Sequence, residues 1–261
     1  MHTLPSPTQF QFGPHRHGGA WLGIEMAPAS ASGVGIDHVV RGSPADKAGI
    51  VSGDVLTSVD GAAVASPTDV LRAVGGHAAG ETVTVVVRRG GQTRSVSVTL
   101  AVRPSADDIL RMEYVGTFAP QLSALTAAAG RLPASMTALR GRVAVIEFWA
   151  TWCGPCRMTM PVLDGWQSRY GAQGLSVIGI TTEAPANAAA FALQQGIHYA
   201  IASDATSATS LAYGIRSIPT LFVVDKRGVV RDVSMGYDPG TNSQLEQLVV
   251  KLLAEPAPRV P

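Results

Sequence analysis

The pattern of apolar and polar residues changes partway along the chain. Up to residue 100, apolar and polar residues alternate, as in "ETVTVVVRR" and "TRSVSVTL", a pattern typical of half-buried antiparallel strands. Beyond residue 140, "RVAVIEFWA" and "LSVIGIT" are almost uninterrupted apolar runs, which are typical of strands buried on both faces. The change predicts two domains of different architecture, which also fits a length of 261 residues.

The first block predicts short strands and two short helices. The strands are "AWLGIEMA", "GVGIDHVV", "DVLTSVDG" and a hairpin over "ETVTVVVRRGGQTRSVSVTL". The helices lie in "SPADKAG" and "SPTDVLRAVGG", where Ser66 and Asp69 have the spacing of a capping box. We therefore expect a small, partly open antiparallel β-barrel with two helices over residues 18–102, after a disordered tail over residues 1–17.

The second block predicts strands and helices in alternation. After a linker over residues 103–113, "RVAVIEFWA" is a central strand, a helix runs from Cys153 to about Tyr170, and "LSVIGIT" is a second buried strand. Helices follow in "PANAAAFALQQG" and "SATSLAYGI", then a hairpin in "PTLFVVDKRGVVRDV" and a closing helix in "NSQLEQLVVKLL". This order predicts an α/β layer sandwich with a central mixed sheet over residues 114–254, followed by a short C-terminal tail over 255–261.

Composition excludes several classes of function. The net charge is +1 and the charges are mixed, which argues against a nucleic-acid surface. No apolar stretch reaches the roughly 18 residues of a membrane span. The N-terminal "MHTLPSPTQFQFGPHRHGG" lacks the apolar core of a signal peptide, so either the protein is cytoplasmic or a leader or anchor is missing. We expect His15 and His17, in this Pro/Gly-rich segment, to be solvated residues rather than metal ligands.

Cys153 and Cys156 are the two cysteines of the chain. Two cysteines exclude a disulfide-rich scaffold and a four-thiolate zinc site, and His198 is the nearest downstream histidine, so a Cys₂His₂ site is not indicated either. No metal or other cofactor is therefore expected. The pair is either reactive or inert, and the Gly-Pro between the two thiols favours a reactive pair.

The position of the CxxC pair predicts different roles for the two thiols. A cysteine at a helix N-terminus faces unpaired backbone N–H groups and the positive end of the helix dipole, both of which stabilise a thiolate. We expect Cys153 to be the exposed nucleophile, and Cys156, one turn further, to be more buried and to resolve the mixed disulfide.

The motifs "WCGPC" and "SIPT" (217–220) resemble those of the thioredoxin superfamily. The resemblance implies a cis peptide bond at Pro219 beside the two sulfurs, with the backbone of Ile218 pairing with a substrate strand. Trp152, Gly154 and Pro155 would surround the dithiol. The longer "VGTFAPQLSAL…GRLPASMTALRGRVAVIEFWATWCGPC" is similar to the TlpA/ResA-type thiol–disulfide reductases of the bacterial cell envelope.

This family resemblance implies a reductase of protein disulfides. Its partners would be disulfide-containing client proteins and an upstream thiol electron donor. Gly-Pro between the cysteines is the dipeptide of thioredoxin, toward the reducing end of a range of potentials from about −270 to about −120 mV. The resemblance also implies a location in the bacterial envelope or periplasm, with the cytoplasm as the alternative.

Four further positions test the resemblance, and Thr159 departs from it. Glu147 occupies the place of thioredoxin's buried acid, where burial would raise its pKa and let it take the proton of Cys156, unless it merely extends from a strand edge. Thr159 stands where TlpA/ResA-type proteins often carry a glutamate. Peroxiredoxins require Pro-x-x-x-Thr/Ser-x-x-Cys, whereas Ile146 and Ala150 occupy the proline and hydroxyl positions here, so a peroxidase is not indicated.

"WLGIEM" and the following "VVRGSPADKAGIVSGDVLTSVDG" resemble a bacterial PDZ domain of the HtrA-associated kind, with no protease domain before it. The resemblance implies a nest of N–H groups for a C-terminal carboxylate and a peptide strand added beside Ile24–Met26. Part of the same residues could instead form core without binding a ligand. The residues expected at the peptide groove are Trp21, Leu22, Gly23, Ile24, Met26, Val70, Leu71 and Val74.

Together these features predict a protein-disulfide reductase whose PDZ-like domain recruits C-terminal peptides or a partner. The rival hypothesis is a peptide-binding scaffold whose CxxC only senses the redox state.

Overall fold

The computed structural model of the protein describes residues 19–30 and 33–257. The chain divides between Pro104 and Ser105 into two units, each with its own hydrophobic core. The predictions made for His15, His17 and the tail over residues 1–17 lie outside the described residues.

Over residues 19–30 and 33–104, the first unit contains eight strands and two helices. In chain order they are β1 (Ala20–Trp21), β2 (Ile24–Ser30), β3 (Gly33–Val39), α1 (Pro44–Lys47), β4 (Val55–Val59), β5 (Ala62–Ala63), α2 (Pro67–Gly75), β6 (Thr82–Arg89), β7 (Gln92–Thr99) and β8 (Ala101–Val102).

The main sheet of this unit is antiparallel and open, with the strand order β2-β3-β4-β6-β7 and with β5 paired to β4. A separate pair joins β1 to β8. Both helices begin as predicted, because Ser43 caps α1 and Ser66 forms a capping box with Asp69 at the start of α2. The partly open β-architecture with two helices is therefore confirmed, and β2 is an edge strand of its sheet.

The second unit contains six strands, five α-helices and two short 3₁₀ turns in its described part. In chain order the helices and strands are α3 (Ala106–Tyr114), β9 (Thr126–Ala129), β10 (Val143–Phe148), α4 (Gly154–Tyr170), β11 (Leu175–Thr181), α5 (Pro185–Gln195), β12 (Ala200–Ser203), α6 (Ala208–Ala212), β13 (Thr220–Val224), β14 (Val230–Met235) and α7 (Pro239–Ala254).

The sheet of the second unit is mixed, in the order β14-β13-β10-β11-β12-β9. Strands β10, β11 and β12 are parallel, and the other neighbours are antiparallel. Side chains alternate between two cores: Val143, Val145 and Trp149 enter the cluster packed by α4, α5 and α7, while Ile146 and Phe148 enter the cluster on the opposite face. The predicted α/β layer sandwich is confirmed.

The linker predicted over residues 103–113 is mostly helical in the structure. Ser105 caps α3 by accepting the N–H of Asp108, and Arg111 of this helix pairs with Asp232 of β14 at 3.0 Å. Asp107, Asp108, Arg111 and Glu113, whose charges suggested a linker, thus lie in a helix of the second unit, and Pro104 precedes that helix. Strand β9 was also missed, because "TAAA" carries no β-branched or aromatic pattern beyond its threonine. In the described part of the chain, no helix is long and apolar enough to span a membrane.

Candidate functional site

The two cysteines lie after strand β10, at the start of helix α4. Cys153 is the N-cap of α4, and its sulfur accepts the backbone N–H of Cys156 at 3.2 Å. The two sulfurs are joined in a disulfide. The structure therefore places Cys153 at the positive end of a 17-residue helix, where a thiolate formed on reduction faces unpaired N–H groups.

Cys153 is less exposed than the sequence suggested. It exposes 4% of its surface and Cys156 exposes none, because both sulfurs pack into the core cluster beneath the loop. The residues around them are exposed instead: Trp152 shows 74% of its surface, and Gly154 and Pro155 lie on the surface beside it. The disulfide is therefore bordered on the solvent side by this exposed rim.

Pro219 lies at the same end of the sheet as the disulfide. Thr220, the first residue of β13, pairs with Phe148, the last residue of β10, so the chain just before β13 and the loop just after β10 share one edge. The Ile218–Pro219 peptide bond is cis, as the motif suggested. Ile218 is half-buried and packs against the core cluster that contains both cysteines.

Glu147 is fully buried in the middle of the sheet. Its neighbours Val145 and Trp149 on the same strand face the core that holds the cysteines, and strand alternation places the Glu147 side chain on that face too. Burial raises the pKa of Glu147 to about 8, and a hydrogen bond from Tyr199 acts in the opposite direction. Tyr199 Oη donates to Glu147 Oε2 at 2.8 Å. A strand-edge glutamate reaching solvent is excluded by this burial.

Two charged residues that sequence reasoning missed hold the loop before the dithiol. Glu183, just after β11, accepts the N–H of Thr151 at 2.7 Å and the Thr151 hydroxyl at 2.7 Å. Arg157 donates to the carbonyl oxygen of Thr151 from Nη2 at 2.8 Å, and its guanidinium lies 5.4 Å from the ring centroid of Phe191. Every polar group of Thr151 is therefore fixed by a charged side chain. A carboxylate directly after a central strand was the available signal in the sequence.

Thr159, which replaces the glutamate of many TlpA/ResA-type proteins, is fully buried and donates its hydroxyl to Pro155 O at 3.3 Å. It brings no charge to the dithiol. Glu147 is therefore the buried carboxyl on the face of the sheet that carries the cysteines, among the residues that the structure describes.

The predicted peptide groove lies between edge strand β2 and helix α2. Leu22, Val70 and Val74 are buried in the core of the first unit, so they form the floor rather than the wall of a groove. Ile24 and Met26 are half-buried against the same core. Leu71 exposes 44% of its surface and is the apolar helix residue free to meet a ligand.

The "WLG" turn at the head of this groove is tightly fixed. Leu22 O accepts the N–H of Ala45 at 2.9 Å, and Gly23 O accepts the N–H of Val40 at 2.9 Å. Gly23 has a φ of 88°, and a Cβ at this position would lie 2.2 Å from the Cβ of Ser43 and 3.2 Å from the Trp21 ring. Only glycine satisfies both the backbone and the close approach.

Residues 19–30 and 33–257 contain no cluster of three or more histidine, cysteine, aspartate or glutamate side chains arranged to hold a metal ion. The chemistry available at the candidate site is that of the two sulfurs, the buried carboxyl of Glu147 and the cis-proline loop.

The chain is similar to known proteins over both units. Residues 115–233 match the model of the AhpC/TSA family, and residues 20–100 match that of the PDZ domain. Protein DipZ of Mycobacterium bovis (strain ATCC BAA-935 / AF2122/97) is 35% identical over 164 residues, which are 59% of this chain and 23% of DipZ. Thiol-disulfide oxidoreductase ResA of Geobacillus thermodenitrificans (strain NG80-2) is 34% identical over 102 residues, which are 39% of this chain and 59% of ResA.

Among solved structures, a thiol:disulfide interchange protein of the thioredoxin family from Chlorobium tepidum TLS is 30% identical, with a TM-score of 0.47, over 53% of this chain and 97% of that one. The chain spans about a quarter of DipZ and somewhat over half of ResA. Its two units can nevertheless be assigned: the protein carries a PDZ domain at residues 20–100 and a thioredoxin-like domain of the AhpC/TSA family at residues 115–233.

Proposed function

We propose that the protein is a thiol–disulfide oxidoreductase that reduces disulfides of client proteins through Cys153 and Cys156. The observation that carries the proposal is the disulfide between these residues at the N-terminus of α4, with Cys153 as the N-cap. The similarity to relatives named thiol-disulfide oxidoreductase supports the same class of reaction.

The proposed reaction transfers two electrons from the dithiol to the client. The thiolate of Cys153 attacks a client disulfide, forms a mixed disulfide and releases one client thiolate. Glu147 accepts the proton of the Cys156 thiol, and the Cys156 thiolate attacks the sulfur of Cys153. The intramolecular disulfide forms and the second client thiolate leaves. An upstream thiol donor then reduces the disulfide for the next cycle.

The reducing direction is supported by the Gly-Pro dipeptide between the cysteines, which is that of thioredoxin. Pro219 and Ile218 support a role in client binding, because they lie at the same edge of the sheet as the dithiol. The exposed rim of Trp152, Gly154 and Pro155 is the surface that the client strand would contact. The family resemblance supports a location in the bacterial cell envelope.

The PDZ domain is proposed to bind C-terminal peptides. A trans peptide unit points its C=O and N–H in opposite directions. Since the carbonyl oxygens of Leu22 and Gly23 point at the segment Val40–Ala45, the N–H groups of Gly23 and Ile24 point away from it and form a nest for a carboxylate. The free edge of β2 would then pair with the peptide backbone, and Leu71 would contact its last side chain.

Turnover tests this proposal against the rival scaffold with a redox-sensing CxxC. We expect the purified chain to reduce insulin disulfides repeatedly when an external dithiol is supplied. A stoichiometric reaction that stops after one equivalent contradicts the reductase and supports the sensor. The double variant Cys153→Ser/Cys156→Ser measures the background reduction by the external dithiol.

A further inference from the structure

Glu147 has an unusual neighbour in the sheet. At its level, the residue across β13 is Leu221 and the residue across β11 is Gly179. Side chains at Leu175 and Val177 of β11 enter the same core as the cysteines, and alternation places position 179 on that face as well. Gly179 therefore leaves a gap in the sheet surface directly beside the buried carboxyl.

Tyr199 reaches Glu147 through this gap. Tyr199 immediately precedes β12, which is separated from β10 by β11, so its ring must cross β11 to donate a hydrogen bond to Glu147. A Cβ on Gly179 would lie 3.1 Å from Tyr199 Cε2, 3.0 Å from Trp149 Nε1 and 2.8 Å from Ile201 Cδ1. The backbone of Gly179 does not adopt a positive φ, so its conformation would tolerate a side chain. A side chain is instead disfavoured by the lack of space around its Cβ.

The two oxygens of Glu147 are not equivalent. Oε2 accepts the hydroxyl of Tyr199, whereas Oε1 is buried and has no hydrogen-bond partner among the described residues. We propose that Tyr199 is a positioning residue for proton transfer: it anchors Oε2 of Glu147, directs Oε1 to accept the proton of Cys156, and depends on the missing side chain of Gly179 for its place. This inference rests on the proposed function.

The surroundings of Tyr199 and Glu147 keep the Tyr199 hydroxyl protonated, so that it donates the hydrogen bond. Burial and the neighbouring carboxyl of Glu147 raise the pKa of Tyr199 well above its usual value, and Asp164 of α4 adds to the effect. Asp164 is in turn held by His198, through its backbone N–H at 2.7 Å and its ring Nδ1 at 3.1 Å. Other titratable groups that pack at this face include the cysteines of α4, which do not ionise as a disulfide, and Tyr170, which donates its hydroxyl to Glu246.

Tyr199→Phe tests the proposal, because it removes the hydroxyl and keeps the ring. The Tyr199 hydrogen bond lowers the pKa of Glu147, so its loss should raise the pH at which Glu147 half-titrates by about one pH unit. The readout is ¹³C NMR of the oxidised chain labelled at glutamate Cδ, with the Glu147 signal identified by its absence in Glu147→Gln. In the reduced chain, resolution of the mixed disulfide at pH 7 should slow about tenfold.

Two further variants separate positioning from a general loss of packing. Gly179→Ala should shift the titration in the same direction, since its methyl group displaces the Tyr199 ring. Tyr213→Phe is the matched control: Tyr213 is equally buried, donates to Pro120 O at 2.8 Å and lies in the opposite core. Its loss should lower stability and leave the Glu147 titration unchanged.

The outcomes distinguish this inference from the proposed function. An unchanged Glu147 titration in Tyr199→Phe overturns the inference whether or not the chain reduces insulin. The same holds if Tyr213→Phe shifts the titration as much as Tyr199→Phe does. If the Glu147 titration shifts in Tyr199→Phe but the wild-type chain does not turn over insulin, the positioning of Glu147 is supported and the reductase is contradicted. The rate of resolution in the Glu147→Gln background should not respond to Tyr199→Phe.

Discussion

The dithiol end of the second unit and the β2–α2 groove of the first unit differ in their exposure to water. Cys153 exposes 4% of its surface, and Cys156 and Glu147 expose none. In the groove, Ile24 and Met26 are half-buried, Leu71 exposes 44% of its surface, and one edge of β2 has no strand beside it among the described residues.

This difference follows from what each region is proposed to do. Thiol exchange depends on which sulfur is ionised and on where one proton goes, and both are controlled by excluding water and fixing a few polar partners. Peptide binding depends instead on area and on free backbone groups, which must stay accessible. Single-atom changes should therefore have large effects at the dithiol, and the energy of the groove should be spread over several contacts.

The largest expected effect separates the two sulfurs. Cys156→Ser should trap client proteins as mixed disulfides with Cys153, because the resolving thiol is gone. Cys153→Ser should trap none and should be inactive, because the remaining thiol lies inside α4 and is fully buried. Non-reducing electrophoresis with a disulfide-containing client measures both. Trapping by Cys153→Ser instead would reverse the assignment of nucleophile and resolving cysteine.

The next largest effect concerns the rate at which the mixed disulfide is resolved. Glu147→Gln keeps the size of the side chain and removes the base, so resolution near neutral pH should slow by at most the roughly 10²–10⁴-fold that general-base catalysis contributes. Stopped-flow measurement of the second step between pH 6 and 8 tests it. A rate equal to the wild type over this interval makes Glu147 a structural residue.

The same substitution should change stability in a pH-dependent way. The folded chain holds the Glu147 proton up to a pKa of about 8, against an ordinary value of 4.5. The stability that the protonated carboxyl contributes is therefore complete below pH 4.5 and is lost as the pH rises through 8, at about 1.4 kcal/mol per pH unit. Glu147→Gln cannot ionise, so its advantage over the wild type should grow across this window, to on the order of 5 kcal/mol.

Urea unfolding of the oxidised chain at several pH values measures this difference. A difference between Glu147→Gln and the wild type that stays constant from pH 5 to 8 would mean that the carboxyl is not held protonated by burial.

Local sequence was enough to predict much of this dry site, and long-range contacts explain what it missed. The strand–CxxC–helix order placed Cys153 at the N-cap of α4, and the apolar run around Glu147 indicated its burial, because both features are encoded by immediate neighbours. Tyr199 lies 52 residues from Glu147, and Glu183 lies 32 residues from Thr151. Their roles depend on strand order in the finished sheet, which no local pattern specifies.

The groove shows the opposite limit. Both helix caps were predictable, since Ser43 and Ser66 act within their own turns, whereas the "WLG" turn was indicated by the family resemblance, because Gly23 packs against Ser43, 20 residues away. Which apolar residues face a ligand was not, because Val70, Leu71 and Val74 are chemically alike and only packing separates the buried valines from the exposed leucine. The helix α3 was hidden for a related reason, since its Arg111 pairs with Asp232 far along the chain.

A smaller effect is expected at the loop that carries the dithiol. Glu183→Gln cannot accept from both the N–H and the hydroxyl of Thr151 as the carboxylate does, so it should loosen the backbone before Cys153. Losing a hydrogen bond to a charged group costs roughly 1.5–3 kcal/mol, and the Thr151 amide should exchange its hydrogen at least about tenfold faster. Insulin reduction should slow severalfold.

Glu246→Gln is the matched control for this loop. Glu246 also accepts a hydroxyl, that of Tyr170 at 2.9 Å, and pairs with Arg169 at 2.8 Å near the far end of α4. Its replacement should leave the exchange of Thr151 unchanged. Equal exchange in Glu183→Gln and the wild type would show that Arg157 and the backbone hold the loop without the carboxylate.

The smallest expected effect belongs to the groove. A peptide ending in an apolar residue with a free carboxylate should bind with micromolar affinity, or about −8 kcal/mol. The same peptide amidated should bind much more weakly, because the N–H groups of the nest then have no carboxylate to donate to. Leu71→Lys should weaken binding of the free-acid peptide by about five- to tenfold, since 44% of the Leu71 surface is exposed and available for a ligand to cover. Isothermal titration calorimetry on the full chain measures both.

Val51→Lys provides the control for this prediction, because Val51 is an apolar residue of the same unit with the same 44% exposure, located on the turn before β4. It should bind the peptide as the wild type does.

A client held at the PDZ domain meets the dithiol of the same chain at an effective concentration of up to about the millimolar order. A client with a free apolar C-terminus should therefore be reduced faster than its amidated form by the wild type and by Val51→Lys, and Leu71→Lys should lose that advantage. Equal affinity for acid and amide would remove the carboxylate nest, and equal reduction rates in all three chains would limit the PDZ domain to a role outside client delivery.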